Sequence, residues 1–305
     1  MTNDAKLHVA LVAAAAVPLL LACGLGWRAP AATVHPRLEY KLRALKPPPA
    51  PGKPPQYLPG EPVILECRLT NAGAESTEVL PITHGSATAL GPGGELTWRL
   101  PQDAAFGPVL VSPQQVRELA PRASLRRLVD LTRWQVFPER GRLSIAGAYR
   151  TPSAQLMRAQ GVELESLAVT ATPVAIRIAT PPADSPPWKE AYRALERARN
   201  LMAGFGPEAD GLRYGEGPKR ALEVVQTRVV GTPSHLGEWG YYYRAVFMAR
   251  CLEYGDATPA RAIAAFEEFL ERYPKSVCAP VAEEVLGLLR AREGPTALLL
   301  YPHVL

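Results

Sequence analysis

Apolar and polar residues alternate through the first half of the chain. In VILECRLTN, Val63, Leu65, Cys67 and Leu69 share one face while Ile64, Glu66, Arg68 and Thr70 share the other. A period of two marks a strand and makes Cys67 a small buried hydrophobe. LEYKLRAL, STEVLPIT, GELTWRL, SLRRLVDLT, RLSIAGAYR and TPVAIRIA are further strand candidates; in the last, Val174, Ile176 and Ile178 alternate with Ala175 and Arg177. Turn signals such as Asn71-Ala72-Gly73 and the Gly91–Gly94 stretch separate them. The proline-dense segment Lys46–Pro62 can form no core and reads as extended, polyproline-like chain. About seven short strands over residues 37–182 predict an antiparallel two-sheet β-sandwich.

After Thr180 the period changes. A proline-rich linker leads to an N-cap candidate, Asp184 or Ser185, with Pro186 in the first turn. Trp188, Tyr192, Leu195, Ala198 and Met202 then recur three and four residues apart, on one face of a helix. The same pattern predicts helices at about 186–204, 217–230, 236–254, 259–272 and 277–291. The fold class expected is therefore multidomain, all-β followed by all-α. A length of 305 residues suits about two domains. The boundaries read as 37–182 for the sandwich and 183–292 for the helices, with an apolar tail at 293–305 that lies against the last helix or docks on a partner.

The most specific pattern is ARAIAAFEEFLERYPKS. Ala262, Phe266 and Pro274 resemble the second helix of a tetratricopeptide repeat: a small residue lets the paired helix approach, an aromatic fills the next turn and a proline ends the hairpin. Phe269 departs from that family, which prefers a small residue there. Ala221, Val225 and Pro233 repeat the same offsets, and Ala245, Met248, Ala249 and Leu252 supply the packing stripe of the preceding helix. The resemblance implies that Tyr243, Val246, Arg250 and Glu253 line a concave groove that takes a protein or peptide. The same helix is apolar enough to be buried on both sides, so both readings stand. In the strand region, Gly60–Val63, Leu69–Asn71 and Gly141–Tyr149 resemble the order of pieces in immunoglobulin-like envelope domains.

Val9–Ala22 is an unbroken apolar run of signal-peptide length. Leu20, Leu21, Ala22 and Cys23 resemble the lipobox of bacterial lipoproteins, Leu21 standing where a small residue is usual. That resemblance implies a signal peptide at 1–23, lipidation of Cys23, a linker at 24–36, and a body held by its lipid anchor in the bacterial cell envelope, outside the cytoplasm. Two alternatives remain: cleavage after Ala31 or Ala32, or an uncleaved transmembrane anchor from Val9 to Trp27. The basic flank Arg28, Arg37, Lys41, Arg43 and Lys46 gives such an anchor a cytoplasmic body.

Charge and chemistry narrow the function. The net charge of +5 is spread among acids, which disfavours a nucleic-acid partner, and Arg126, alternating with Leu125 beside Asp130, reads as the wet face of a strand. With Cys23 set aside three cysteines remain, so at least one thiol is free. Cys251 and Cys278 do not pair. In the expected hairpin order they are offset along the axis by on the order of 15 to 20 Å, and a disulfide needs α-carbons within roughly 7 Å. The histidines at 8, 35, 84, 235 and 303 have no ligand-spaced neighbours, so no metal site is signalled. No nucleophile elbow, phosphate loop, dinucleotide fingerprint or zinc-protease helix occurs. The pairs Glu267/Glu268 and Glu283/Glu284 read as solvated helix faces. The expectation is a non-catalytic protein-binding adaptor or scaffold without a cofactor. The alternatives are a ligand-binding or inhibitory sandwich with structural helices, and an enzyme with no recognisable motif.

Overall fold

Strand and helix periods sort the chain into two stretches, strands first. A computed structural model describes residues 37–82, 86–99, 111, 113–207, 209–213, 216–252 and 257–291; Cys23, Glu253, the apolar run and the tail lie outside them. Ten strands occur among the described residues: β1 Leu38–Ala44, β2 Gln56–Tyr57, β3 Ile64–Asn71, β4 Thr77–Val79, β5 Ala87–Gly91, β6 Gly94–Glu95, β7 Arg117–Leu119, β8 Ser124–Asp130, β9 Gly141–Arg150 and β10 Ala168–Ile178. A short helix α1, Ala154–Ala159, interrupts them. Then come α2 Lys189–Ala203, α3 Glu216–Arg228, α4 Leu236–Cys251, α5 Pro259–Arg272 and α6 Ala279–Arg290. Among the described residues no helix is long and apolar enough to cross a membrane.

The strands form a three-stranded sheet in the order β1-β3-β8, a five-stranded sheet in the order β2-β10-β9-β5-β6, and the pair β4-β7. All pairs are antiparallel except β2 with β10. The polyproline-like segment thus contributes one short strand, as the ladder bonds from the Arg177 and Ala179 amides to Pro55 and Tyr57 carbonyls show. Alternation places Leu65, Cys67 and Leu69 of β3 with Leu143, Ile145 and Tyr149 of β9 and Ile176 and Ile178 of β10 in one apolar cluster. Tyr149 fastens it by donating to the Leu80 carbonyl at 3.1 Å and accepting from the Leu80 amide at 2.8 Å. On the outward face of the three-stranded sheet Glu66 gathers Arg43, Arg68 and Arg126 within 3.2 Å. Burial alone would raise its carboxyl pKa; the three guanidinium groups hold it below the ordinary carboxylate value.

Each of the helices from α2 to α6 packs on the next. The first begins three residues later than the Pro186 signal suggests. Neither Asp184 nor Ser185 caps it; Trp188 stands at the N-cap position without a side-chain cap and packs on Tyr192 and His235. In α5, Thr258 caps the amino terminus and Ala262, Phe266 and Phe269 are fully buried. Pro274, exposed, follows the C-cap residue Tyr273. Phe269 fills its space against Tyr242 and Tyr273, at ring distances of 5.6 and 6.0 Å. The helical core also takes in Ile64 of β3 and Leu128 of β8, so strands and helices are joined by an apolar seam.

Candidate functional site

The polar groups that concentrate at this seam come from both stretches. Asp130 ends β8 and caps the 3-10 turn Leu131–Arg133, accepting from the Thr132 amide at 3.1 Å and its hydroxyl at 2.6 Å. The other Asp130 oxygen accepts from the Tyr243 hydroxyl of α4 at 2.7 Å. Arg199 of α2 donates to that same hydroxyl at 2.8 Å, and its guanidinium lies 4.5 Å from the Tyr243 ring centre. It also donates to the Gly60 carbonyl at 2.8 Å and to Glu196 at 2.5 Å. Arg99 reaches in from the strand region to Glu196 and Asn200. Gly60 permits the close approach: its φ is +80, and a Cβ there would stand 2.6 Å from Leu236.

Charges within this set offset one another. Burial opposes ionisation of Glu196, but Arg199 and Arg99 hold its carboxyl below the ordinary value. Burial likewise disfavours the Arg199 cation, and Tyr243, Glu196 and Asp130 more than restore it. Burial drives the Tyr243 phenol well above its usual pKa, so it stays a neutral donor and acceptor. Among the buried side-chain atoms of this set, the Nε atoms of Arg99 and Arg199 have no hydrogen-bond partner among the described residues. Tyr243 and Arg199 are 0% and 2% exposed, which leaves a substrate no access. Chemically the cluster is a clamp: it ties β8 and the loop at Gly60 to α2 and α4.

Of the four residues expected in a groove, the three that are described do not form an open surface. Tyr243 and Val246 are buried, Arg250 is half-buried and Glu253 lies outside the described residues. The physical reason is that α4 carries buried residues on every side: it packs on α3 and α5, and Tyr243 reaches the strand region at Asp130 and Thr132. Arg126 is exposed, as its alternation suggests, while its neighbour Asp130 faces α4. Arg199 was legible as an anomaly, since it follows Leu195 by four residues and so falls on the apolar stripe of α2. Nothing in the sequence pointed to Arg99 or Thr132. Cys67, Cys251 and Cys278 are buried and not joined in disulfides, and burial raises the Cys67 pKa to about 11. Among the described residues no group of His, Cys, Asp and Glu side chains could hold a metal ion.

A scan of protein-family models and a search of curated proteins each return no match to this chain.

Proposed function

We propose that the chain is a lipid-anchored cell-envelope protein acting as a non-catalytic protein-binding adaptor, with an immunoglobulin-like β-sandwich docked on a tetratricopeptide-like helical array. One observation favours binding over catalysis: the densest set of ionisable side chains, around Tyr243, is sealed from solvent and occupied in joining strands to helices. Partner contact then falls to outward helix faces such as those bearing Glu271 on α5 and Glu283 on α6, both exposed. The anchor rests on Cys23 and its lipobox-like flank.

The anchor is checked by mass spectrometry of the mature amino terminus. A lipidated Cys23 is expected, with Cys23→Ser left as precursor; an intact Met1 in the wild type would sink the anchor. For the adaptor role, the full-length chain is cross-linked in the envelope, alongside Glu271→Lys/Glu283→Lys and, as a control on the strands, Arg68→Glu. A stoichiometric complex lost only in the helix variant is expected. Loss only in the strand variant would transfer the role to the sandwich, and no complex in any of the three would end the adaptor reading.

A further inference from the structure

The outward cations of this protein fall into two groups. Some pair with acids, as Lys41 does with Glu39 at 2.8 Å and as Arg43, Arg68 and Arg126 do with Glu66. Arg142 and Arg177 do not. They are direct cross-strand partners on β9 and β10, and Gln56 of β2 continues the row beside Arg177. All side chains in such a row project from one face, with strands roughly 4.8 Å apart. Arg140 and Lys53 flank the pair, and among the described residues no carboxylate lies within ion-pair distance of any of the four cations.

The surface there forms a shallow, open depression. A recess of about 560 Å³ is lined by Arg140, Arg142, Arg177 and Thr180, and a second of about 200 Å³ by Lys53, Gln56 and the same two arginines. Like charges directly opposite each other in a sheet are destabilising. Two guanidinium forks side by side match the oxygens of a phosphate, which they bind as charge-assisted, bidentate donors. An anion between them removes the repulsion and gains those bonds, and a recess of this size suits a group larger than a single phosphate.

We propose that the Arg142–Arg177 recess is a binding site for a phosphate-bearing anion, with Arg140 and Lys53 adding charge at its rim. This site is separate from the buried clamp and does not depend on the adaptor reading.

The test uses the full-length chain in neutral detergent, in phosphate-free buffer of low ionic strength, and Arg142→Gln/Arg177→Gln beside the control Arg68→Gln. Calorimetric titration with pyrophosphate should give saturable, one-to-one binding that the double variant weakens by about tenfold or more while the control keeps it. A second arm compares vesicles of phosphatidylcholine with vesicles containing phosphatidylglycerol, reading only the difference, because an amino-terminal anchor of either kind would insert into both alike. Loss of that difference in the double variant, without pyrophosphate binding, assigns the phosphate to a lipid headgroup; the reverse result assigns it to a soluble ligand. Without anion, the double variant should melt no lower than the wild type, which separates a lost ligand from a damaged fold. Equal behaviour of wild type and double variant in both arms, or no binding in either, overturns the site.

Discussion

The Tyr243 hydroxyl meets Asp130, Arg199 and Thr132 at once, at 2.7, 2.8 and 3.1 Å. Two of these partners are charged, and hydrogen bonds to charged groups contribute about 1.5–3 kcal/mol each. Tyr243→Phe keeps the ring under Arg199 and removes only the oxygen, so packing is preserved while both charges lose a buried partner. Destabilisation of about 2–3 kcal/mol is expected, read as a fall in the urea midpoint with unchanged slope. A change of less than about 0.5 kcal/mol would mean that water replaces the hydroxyl and that the clamp is weaker than its geometry implies.

Two glycines separate packing from propensity at the level of helices. Gly→Ala in a helix gains roughly 0.5–1 kcal/mol from backbone entropy. At Gly240 in α4, however, a Cβ would stand 2.8 Å from the Val230 amide nitrogen and 2.9 Å from the Val229 carbonyl carbon, backbone atoms that cannot rotate away. Overpacking of that kind costs about 1–3 kcal/mol, so Gly240→Ala should lower the melting temperature. At Gly287 in α6 nothing lies within 4 Å, and Gly287→Ala should raise it. Measuring both by thermal unfolding checks the register of α4 against the end of α3, because the opposite order of the two variants is incompatible with it.

For the whole molecule, His235 and the lowered carboxylates Glu66, Glu196 and Glu268 tie stability to acidity with the same sign, His235 and the buried Glu196 being the two to test. Burial lowers the His235 pKa and the neighbouring charge of Lys46 adds to this, against a hydrogen bond from its Nε2 to the Pro59 carbonyl at 3.0 Å. The unfolded chain therefore takes up this proton first, and stability falls as pH drops below about 6.5. The Glu196 carboxyl is also held below its unfolded value, so its contribution is complete above about 4.5 and is lost as pH falls through its folded pKa. Glu61 and Glu238, both raised by burial, act in the opposite sense near the acid end. The melting temperature should decline on acidification in two stages, with His235→Gln flattening the first and Glu196→Gln the second. A profile identical for wild type and both variants would show that other groups control acid unfolding.

Periodicity determined a good deal without help from the fold. The alternation around Cys67 predicted β3 and its two faces, and the three-and-four spacing predicted five helices, each within about three residues of where α2 to α6 stand at their amino ends. Such signals are local, because burial repeats with the geometry of the element itself. The sequence also marked Ala262 and Phe266 as packing residues, and both are fully buried. What it left open was which apolar face meets which surface. Strand β2 was hidden in a proline-rich segment because it pairs with β10, far along the chain. The burial of Tyr243 depends on Asp130, 113 residues away, and on Arg199, 44 away. The facing of Arg142 on Arg177 follows from a register set by the whole β9–β10 pairing. Contacts between remote residues leave no periodic trace in either partner, so only the tertiary structure decided that the expected groove helix is interior and that an unpaired basic recess lies on the sheet.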